Sequence, residues 1–165
     1  ITGTQIADAA IGTAQIGTAQ VDTLQIKGNA VTVPVNVYTA GTQTFPGTVT
    51  WQTIQTISID SESQPISISA SAFIKNAYNL NEGVRPSATL LRIIRAADSV
   101  VIYSVRLDPG VVDTATHYNC FSTTTLDSAP NAGTNTYRLE VQTEVGAGYI
   151  GITSNRGLFA IGVKR

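Results

Sequence analysis

From residue 1 to residue 31 a branched apolar side chain falls on every fifth position: Ile1, Ile6, Ile11, Ile16, Val21, Ile26 and Val31. A five-residue step turns an α-helix by about 140°, which scatters these side chains around the helix and forms no apolar stripe. In a flat strand, odd spacing sends Ile1 and Ile6 to opposite faces. The column is buried only if the extended chain bends or winds once per repeat. That can happen within one chain as a solenoid, or between several chains wound about a common axis.

A second register supports close winding. Ala9, Ala14, Ala19 and Leu24 each stand two places before a column residue, with Gly12, Gly17 and Gly28 between them. Alanine in that place resembles the pentapeptide-repeat solenoids, in which about four five-residue faces complete one coil and stacked coils bury the core. Residues 1–30 would give little more than one coil. A repeat too short to cover its own apolar column takes the missing surface from two more copies around a threefold axis. The expectation is an interwound trimeric β stalk over residues 1–30 with Ile1, Ile6, Ile11, Ile16, Val21 and Ile26 as its core, followed by a second domain over 31–165.

The chain is 42% hydrophobic but 13% charged, about half the usual charged share. Threonine, serine, glutamine and asparagine replace the missing charges. They keep a surface hydrated, and threonine suits strands. This composition fits a β-rich fibre better than a cytosolic enzyme. A net charge of −1 gives no pull toward nucleic acid or an anionic membrane. No apolar run reaches the roughly 18 to 20 residues of a membrane span, and residues 1–30 lack signal-peptide order. With no methionine and Ile1 first, the chain is expected to be a piece of a longer or processed polypeptide. Cys120 is alone, which excludes an intrachain disulfide and suits a single buried thiol. The absence of an Asn-x-Ser/Thr sequon mildly disfavours a glycosylated exterior.

From Val31 the period becomes two. Val31, Val33, Val35 and Val37 alternate with polar residues, and Pro34 marks a strand start or an edge. A turn region follows at 39–47. Val49, Trp51 and Thr53, then Ile57 and Ile59, predict a strand with Trp51 as core anchor. Ile66, Ile68, Ala70 and Ala72 between Ser67, Ser69 and Ser71 give a half-buried strand whose small inner residues suit a tight sheet or subunit contact. Asn76 to Ser87 reads as loop. Leu90, Leu91, Ile93, Ile94 and Ala97 allow a short amphipathic helix, but their branched residues and the run from Val100 to Leu107 favour a hairpin turning at Asp98-Ser99. Asp108-Pro109-Gly110 is a turn, a short strand lies near Tyr118 to Ser122, and a loop runs through Pro130 and Gly133. Tyr137, Leu139 and Val141 alternate with Arg138, Glu140 and Gln142, a strand with one wet face. Tyr149 to Thr153 and Leu158 to Val163 give two more strands, with Asn155-Arg156-Gly157 between them. Eight or nine short strands define an all-β chain, an antiparallel β-sandwich or jelly-roll domain behind the stalk.

The join from Val21 through Lys27-Gly28-Asn29 to Pro34, preceded by Ile/Ala pentads, resembles the C-terminal region of tail-tip host-specificity proteins, or central tail fibres, of non-contractile bacteriophages. Ala132 to Val141 and Ser154 to Arg165 resemble the last strands of such fibres. The resemblance implies a homotrimer at the far end of the virion tail, acting outside the host cell. Its implied partners are other copies of the chain, other tail proteins through a preceding segment, and a bacterial surface receptor, protein or glycan. No receptor residue is carried over.

Chemical constellations are sparse. His117 is the single histidine, and Asp108 and Asp113 are near it, but no nucleophile-elbow motif accompanies them. It reads as a loop histidine beside Tyr118. His117 with Cys120 is too few ligands for zinc, and Asp60 with Glu62, or Asp108 with Asp113, lack an EF-hand pattern. No metal or cofactor is expected. Gly146-Ala147-Gly148-Tyr149-Ile150-Gly151 precedes a strand, not a helix, and so reads as a hairpin turn rather than a phosphate loop. Tyr78, Asn79, Asn81, His117, Tyr118 and Tyr149 are the candidate receptor-facing loop residues, since tyrosine joins apolar area to a hydrogen-bonding tip. Arg92, Arg95 and Arg106 could line a polar subunit contact or a solvated face. The function expected is adsorption by binding, with no chemical step. One alternative is a folding and trimerisation tip with receptor binding elsewhere; another is a tail-associated glycan hydrolase or esterase, whose paired carboxylates the sequence does not single out.

Overall fold

A computed structural model describes residues 34–46, 49–77, 88–108, 116–144 and 150–162. The chain divides into two units, Ile1–Thr32 and Val33–Arg165, and every described residue belongs to the second. The stalk residues Ile1, Ile6, Ile11, Ile16, Val21 and Ile26 lie outside the described residues.

Nine strands form among the described residues: β1 (Val35–Thr39), β2 (Gln43–Pro46), β3 (Gln52–Glu62), β4 (Ile66–Ala77), β5 (Thr89–Arg95), β6 (Val100–Leu107), β7 (Thr116–Asp127), β8 (Ala132–Thr143) and β9 (Ile150–Gly162). They make two antiparallel sheets. One has the order β1-β9-β4-β7, with β2 continuing β1 along β9, and the other β3-β8-β5-β6. The first strand therefore pairs with the last, and successive strands from β2 to β9 pass between the sheets except at the β3–β8–β5–β6 hairpin of β5 and β6. Counting β1 with β2 as one interrupted strand gives eight strands in two four-stranded layers, the jelly-roll order.

Alternation decides which side of each strand is buried. Ile66, Ile68, Ala70, Ala72 and Ile74 of β4 meet Ile57 and Ile59 of β3, Leu91 and Ile93 of β5, and Tyr137, Leu139 and Val141 of β8 in one core. Ala70 and Ala72 are small because they lie between the sheets. The expected hairpin of β5 and β6 is present, with Ser99 at φ 58° in its turn.

Four local readings change. β2 lies inside the region expected to be turn; Gln-Thr-Phe-Pro has little strand alternation and is held as an edge against β9. β7 runs from Thr116 to Asp127, much longer than the short strand expected. Trp51 is half-buried and precedes β3, outside the core. A register shift at Ile54 explains this: Thr53 pairs with Glu140 and Gln55 with Leu139, so one extra residue flips the face between Trp51 and Ile57. At the C-terminus, the two expected strands are one. Asn155 has φ 50° and sits where β9 shifts register against Ser71 and Phe73, so the Asn-Arg-Gly chemistry read as a turn makes a bulge. Tyr38 Oη donates to Asn155 Oδ1 at 3.2 Å and fixes it. Asn155→Val is expected to cost about 1–2 kcal/mol in urea unfolding, whereas Asn155→Gly should cost less than half of that, because only valine clashes at positive φ.

Candidate receptor-facing end and sheet faces

The strand registers sort the connections into two groups. Ala77 pairs with Thr116 and Ile150, and Pro46 with Ile150, so β2 and β4 finish where β7 and β9 begin. In the other sheet, Thr89 pairs with Leu107 and Thr143 at the corresponding end. The β2–β3, β4–β5, β6–β7 and β8–β9 connections, of five, eleven, eight and six residues, therefore all leave from one end of the sandwich. At the opposite end the β3–β4, β5–β6 and β7–β8 connections have three, four and four residues. Val35, where the sandwich begins, pairs with Ala160 toward that short-turn end.

Tyr78, Asn79, Asn81 and Tyr149 lie outside the described residues, within the β4–β5 and β8–β9 connections. His117 and Tyr118, expected as loop residues, lie instead at the start of β7, paired with Asn76 and Lys75, because β-branched and aromatic residues continue the strand back to Thr116. Tyr118 stacks on Phe73 with ring centroids 5.5 Å apart, and Lys75 Nζ lies 5.6 Å from its centroid.

Arginines brace both ends. At the long-connection end, Arg106 donates to Glu144 at 2.8 Å and also bonds Asp108, tying the roots of two connections together. Its guanidinium holds the Glu144 carboxyl below the usual carboxylate range. Glu144 N donates to Ala88 O at 3.0 Å, adding the root of a third connection. At the short-turn end the brace is buried. Arg95 donates to Asp98 of the β5–β6 turn, to Asp127 Oδ2 at 2.8 Å and to Ala129 O at 2.7 Å, while Tyr137 Oη donates to the same Asp127 oxygen at 2.7 Å. Asn135 closes the β7–β8 turn by donating to Asn131 O and Gly133 O and accepting from Asn131 N.

The hydrogen bond from Arg95 lowers the Asp98 pKa, while burial pushes the Tyr137 phenol far up, aided by Asp127. An acid whose folded pKa is raised contributes stability that is intact below its unfolded value, near 10 for tyrosine, and lost as pH rises further. Thermal unfolding is therefore expected to fall more steeply between pH 9 and pH 11.5 in the natural chain than in Tyr137→Phe.

The two outer sheet faces differ. On β3-β8-β5-β6, Arg92 pairs with Glu140 at 2.7 Å, and its guanidinium lies 4.1 Å from the Trp51 ring centroid. This cover buries Glu140, so β8 lacks the fully wet face its alternation suggested. Arg92, Arg95 and Arg106 each bind carboxylates of their own chain. On β1-β9-β4-β7, the outward residues are Asn36 and Tyr38, Ser67, Ser69, Ser71 and Phe73, Cys120, Ser122 and Thr124, and their neighbours; Lys75 is the one charged side chain among the described residues there. Four large apolar residues are exposed on that face: Tyr38 (65%), Tyr118 (54%), Leu126 (52%) and Phe159 (37%). Sequence reasoning passed over this face because its serine and threonine residues look like ordinary solvated strand positions. Cys120, expected to be buried, is exposed on it, since its partner Phe73 points outward.

Among the described residues no three histidine, cysteine, aspartate or glutamate side chains group as metal ligands, and Asp98, Asp127, Glu140 and Glu144 are each bound to an arginine.

No protein-family model and no curated protein matches the chain. Solved structures do match in fold. The infectious bursal disease virus VP2 subviral particle aligns at a TM-score of 0.50 and 13% identity, covering 79% of this chain and 32% of that one. The structure of the Gx strain of the same virus aligns at 0.47 and 12% identity, covering 79% and 33%. The chain thus spans about a third of the length of these neighbours. At this identity the first likeness concerns the fold alone, an antiparallel two-sheet β domain, in agreement with the strand order.

Proposed function

We propose that the chain is the distal part of a homotrimeric bacteriophage tail fibre, a virion component that binds the bacterial surface during adsorption. The observation that carries this reading is the segregation of connections: the sandwich starts at its short-turn end, and every long connection leaves from the other. A tip that meets a receptor needs variable loops directed away from its point of attachment, on a rigid scaffold. Arg106 joins the roots of two of those loops, and the buried Arg95 cluster stiffens the opposite end. The pentad column ending at Val31, four residues before β1, supports assembly around a threefold axis, and trimerisation turns weak loop contacts into avid binding. A structural-particle role also agrees with the fold shared with a virus particle protein.

The receptor, protein or glycan, would be met by the connections bearing Tyr78, Asn79, Asn81 and Tyr149, with His117 at the root of β7. A second reading, a folding and trimerisation tip without receptor contact, is favoured by the uncharged sheet face. Competition separates the two. Whole chain added to susceptible bacteria before the phage that carries it is expected to block adsorption in proportion to dose. A trimeric chain that leaves adsorption unchanged would establish the structural reading instead. Release of sugar or acyl product from isolated host envelopes would move the chain to the enzymatic class.

A further inference from the structure

We infer that the outer face of the β1-β9-β4-β7 sheet is a contact surface between copies of this chain. The inference rests on the homotrimer proposed above and adds where the heads touch. Three features mark the face as an interface, and a fourth, its area, fits a whole second copy as the occupant.

First, charge is segregated. Asp60, Arg92, Arg106, Arg138 and Glu140 lie on the strands' other outer face, in the β3-β8-β5-β6 sheet, while this face carries Lys75, whose ammonium is partly occupied by the Tyr118 ring. Charge depletion with aromatic enrichment is the compositional mark of an interface centre. Second, the apolar residues are spread across the whole face rather than gathered in one spot. Leu126 pairs beside Ser67 near one end and Tyr118 beside Lys75 near the other, eight residues apart on β7, or about 27 Å at strand rise. Between them the β4 and β7 positions are small, Ser69, Ser71, Ser122 and Thr124, while Phe159 and Tyr38 stand in the same rows on β9 and β1. A Cβ at Gly157 would stand 3.4 Å from Ser71 Oγ and 3.6 Å from the Tyr38 ring, so the glycine leaves a trough beside that ring. The small β4 and β7 positions, bordered by Tyr38 and Phe159 on one side and by Leu126 and Tyr118 at the two ends, leave a shallow recess that another β surface can enter.

Third, part of the polar content of the face is already satisfied. Ser69 Oγ and Thr124 Oγ1 are hydrogen-bonded at 2.9 Å, and Tyr38 Oη bonds Asn155. Covering groups with internal partners costs less than stripping water from free ones. Fourth, the area suffices. Four strands abreast and about twelve residues long present roughly 750 Å², close to the ~800 Å² per partner of a standard stable interface. A small-molecule ligand would use a fraction of such a face.

Cys120 sits on this face and reports on it. The whole chain is treated with a thiol-reactive chromogenic disulfide while its molar mass is followed, in parallel with Leu126→Lys/Phe159→Lys and, as a separate variant, Tyr38→Lys. All three positions are exposed within one chain, and circular dichroism checks that each variant folds. In the natural trimer Cys120 should react at least about tenfold more slowly than in a folded variant bearing the added charges. A trimer whose Cys120 reacts as fast as in the variants, or one equally slow in all of them, overturns the face contact while leaving the trimer standing. A monomeric natural chain overturns both.

Discussion

Replacing Asp127 with alanine is expected to lower the unfolding free energy by about 3–5 kcal/mol, the usual result of removing one partner from a buried ion pair. The size follows from what Asp127 holds. Its Oδ2 accepts from Arg95 and from Tyr137, and its Oδ1 accepts from Ala129 N. Arg95 and Tyr137 are both buried, so alanine leaves a guanidinium edge and a phenol without their acceptor in a site that water does not readily reach. Arg95 keeps Asp98, which is why the loss stays within that range. Asp127→Asn retains a carbonyl acceptor and should lose clearly less. Urea unfolding of the three chains, read by far-UV circular dichroism, gives the ordering. Equal stability of Asp127→Ala and the natural chain would show that the network does not hold the β5–β6 and β7–β8 turns together.

The second large effect concerns binding. Tyr78→Ala combined with Tyr149→Ala is expected to raise the concentration of chain needed to block phage adsorption by at least about a hundredfold, because aromatic anchors dominate interface energies and each loss recurs in three copies. Ser128→Ala, in the short β7–β8 turn at the other end, should leave the blocking concentration unchanged. Loss of blocking in Ser128→Ala with none in the tyrosine pair would place receptor contact at the short-turn end and reverse the proposed orientation.

The contrast between these two ends shows what the sequence could and could not carry. β4 was legible because Ile66 to Ala72 alternate strictly with serines, and the β5–β6 hairpin because branched residues flank Asp98-Ser99. Local chemistry misled at Asn155, since an asparagine able to take positive φ serves a bulge as well as a turn, and pairing with both β1 and β4 decides between them. Trp51 was misplaced because the extra residue at Ile54 inverts the face within one apparently regular alternation. Burial of Glu140 depends on Arg92, 48 residues away, and only the β5–β8 register brings them together. The same holds for function. Tyr78 and Tyr149 could be named one by one as loop residues, but that β4 and β8 finish at the same end follows from the registers of distant strands. The uncharged sheet face is likewise a product of pairing distant strands, with no local motif.

The threefold assembly on which the fibre-tip account depends is tested most directly by the molar mass of the intact chain in dilute native solution, measured by light scattering during size-exclusion chromatography. The account predicts about 52 kDa, three times the 17.3 kDa chain, independent of concentration over the micromolar range. A species of 17.3 kDa would contradict it.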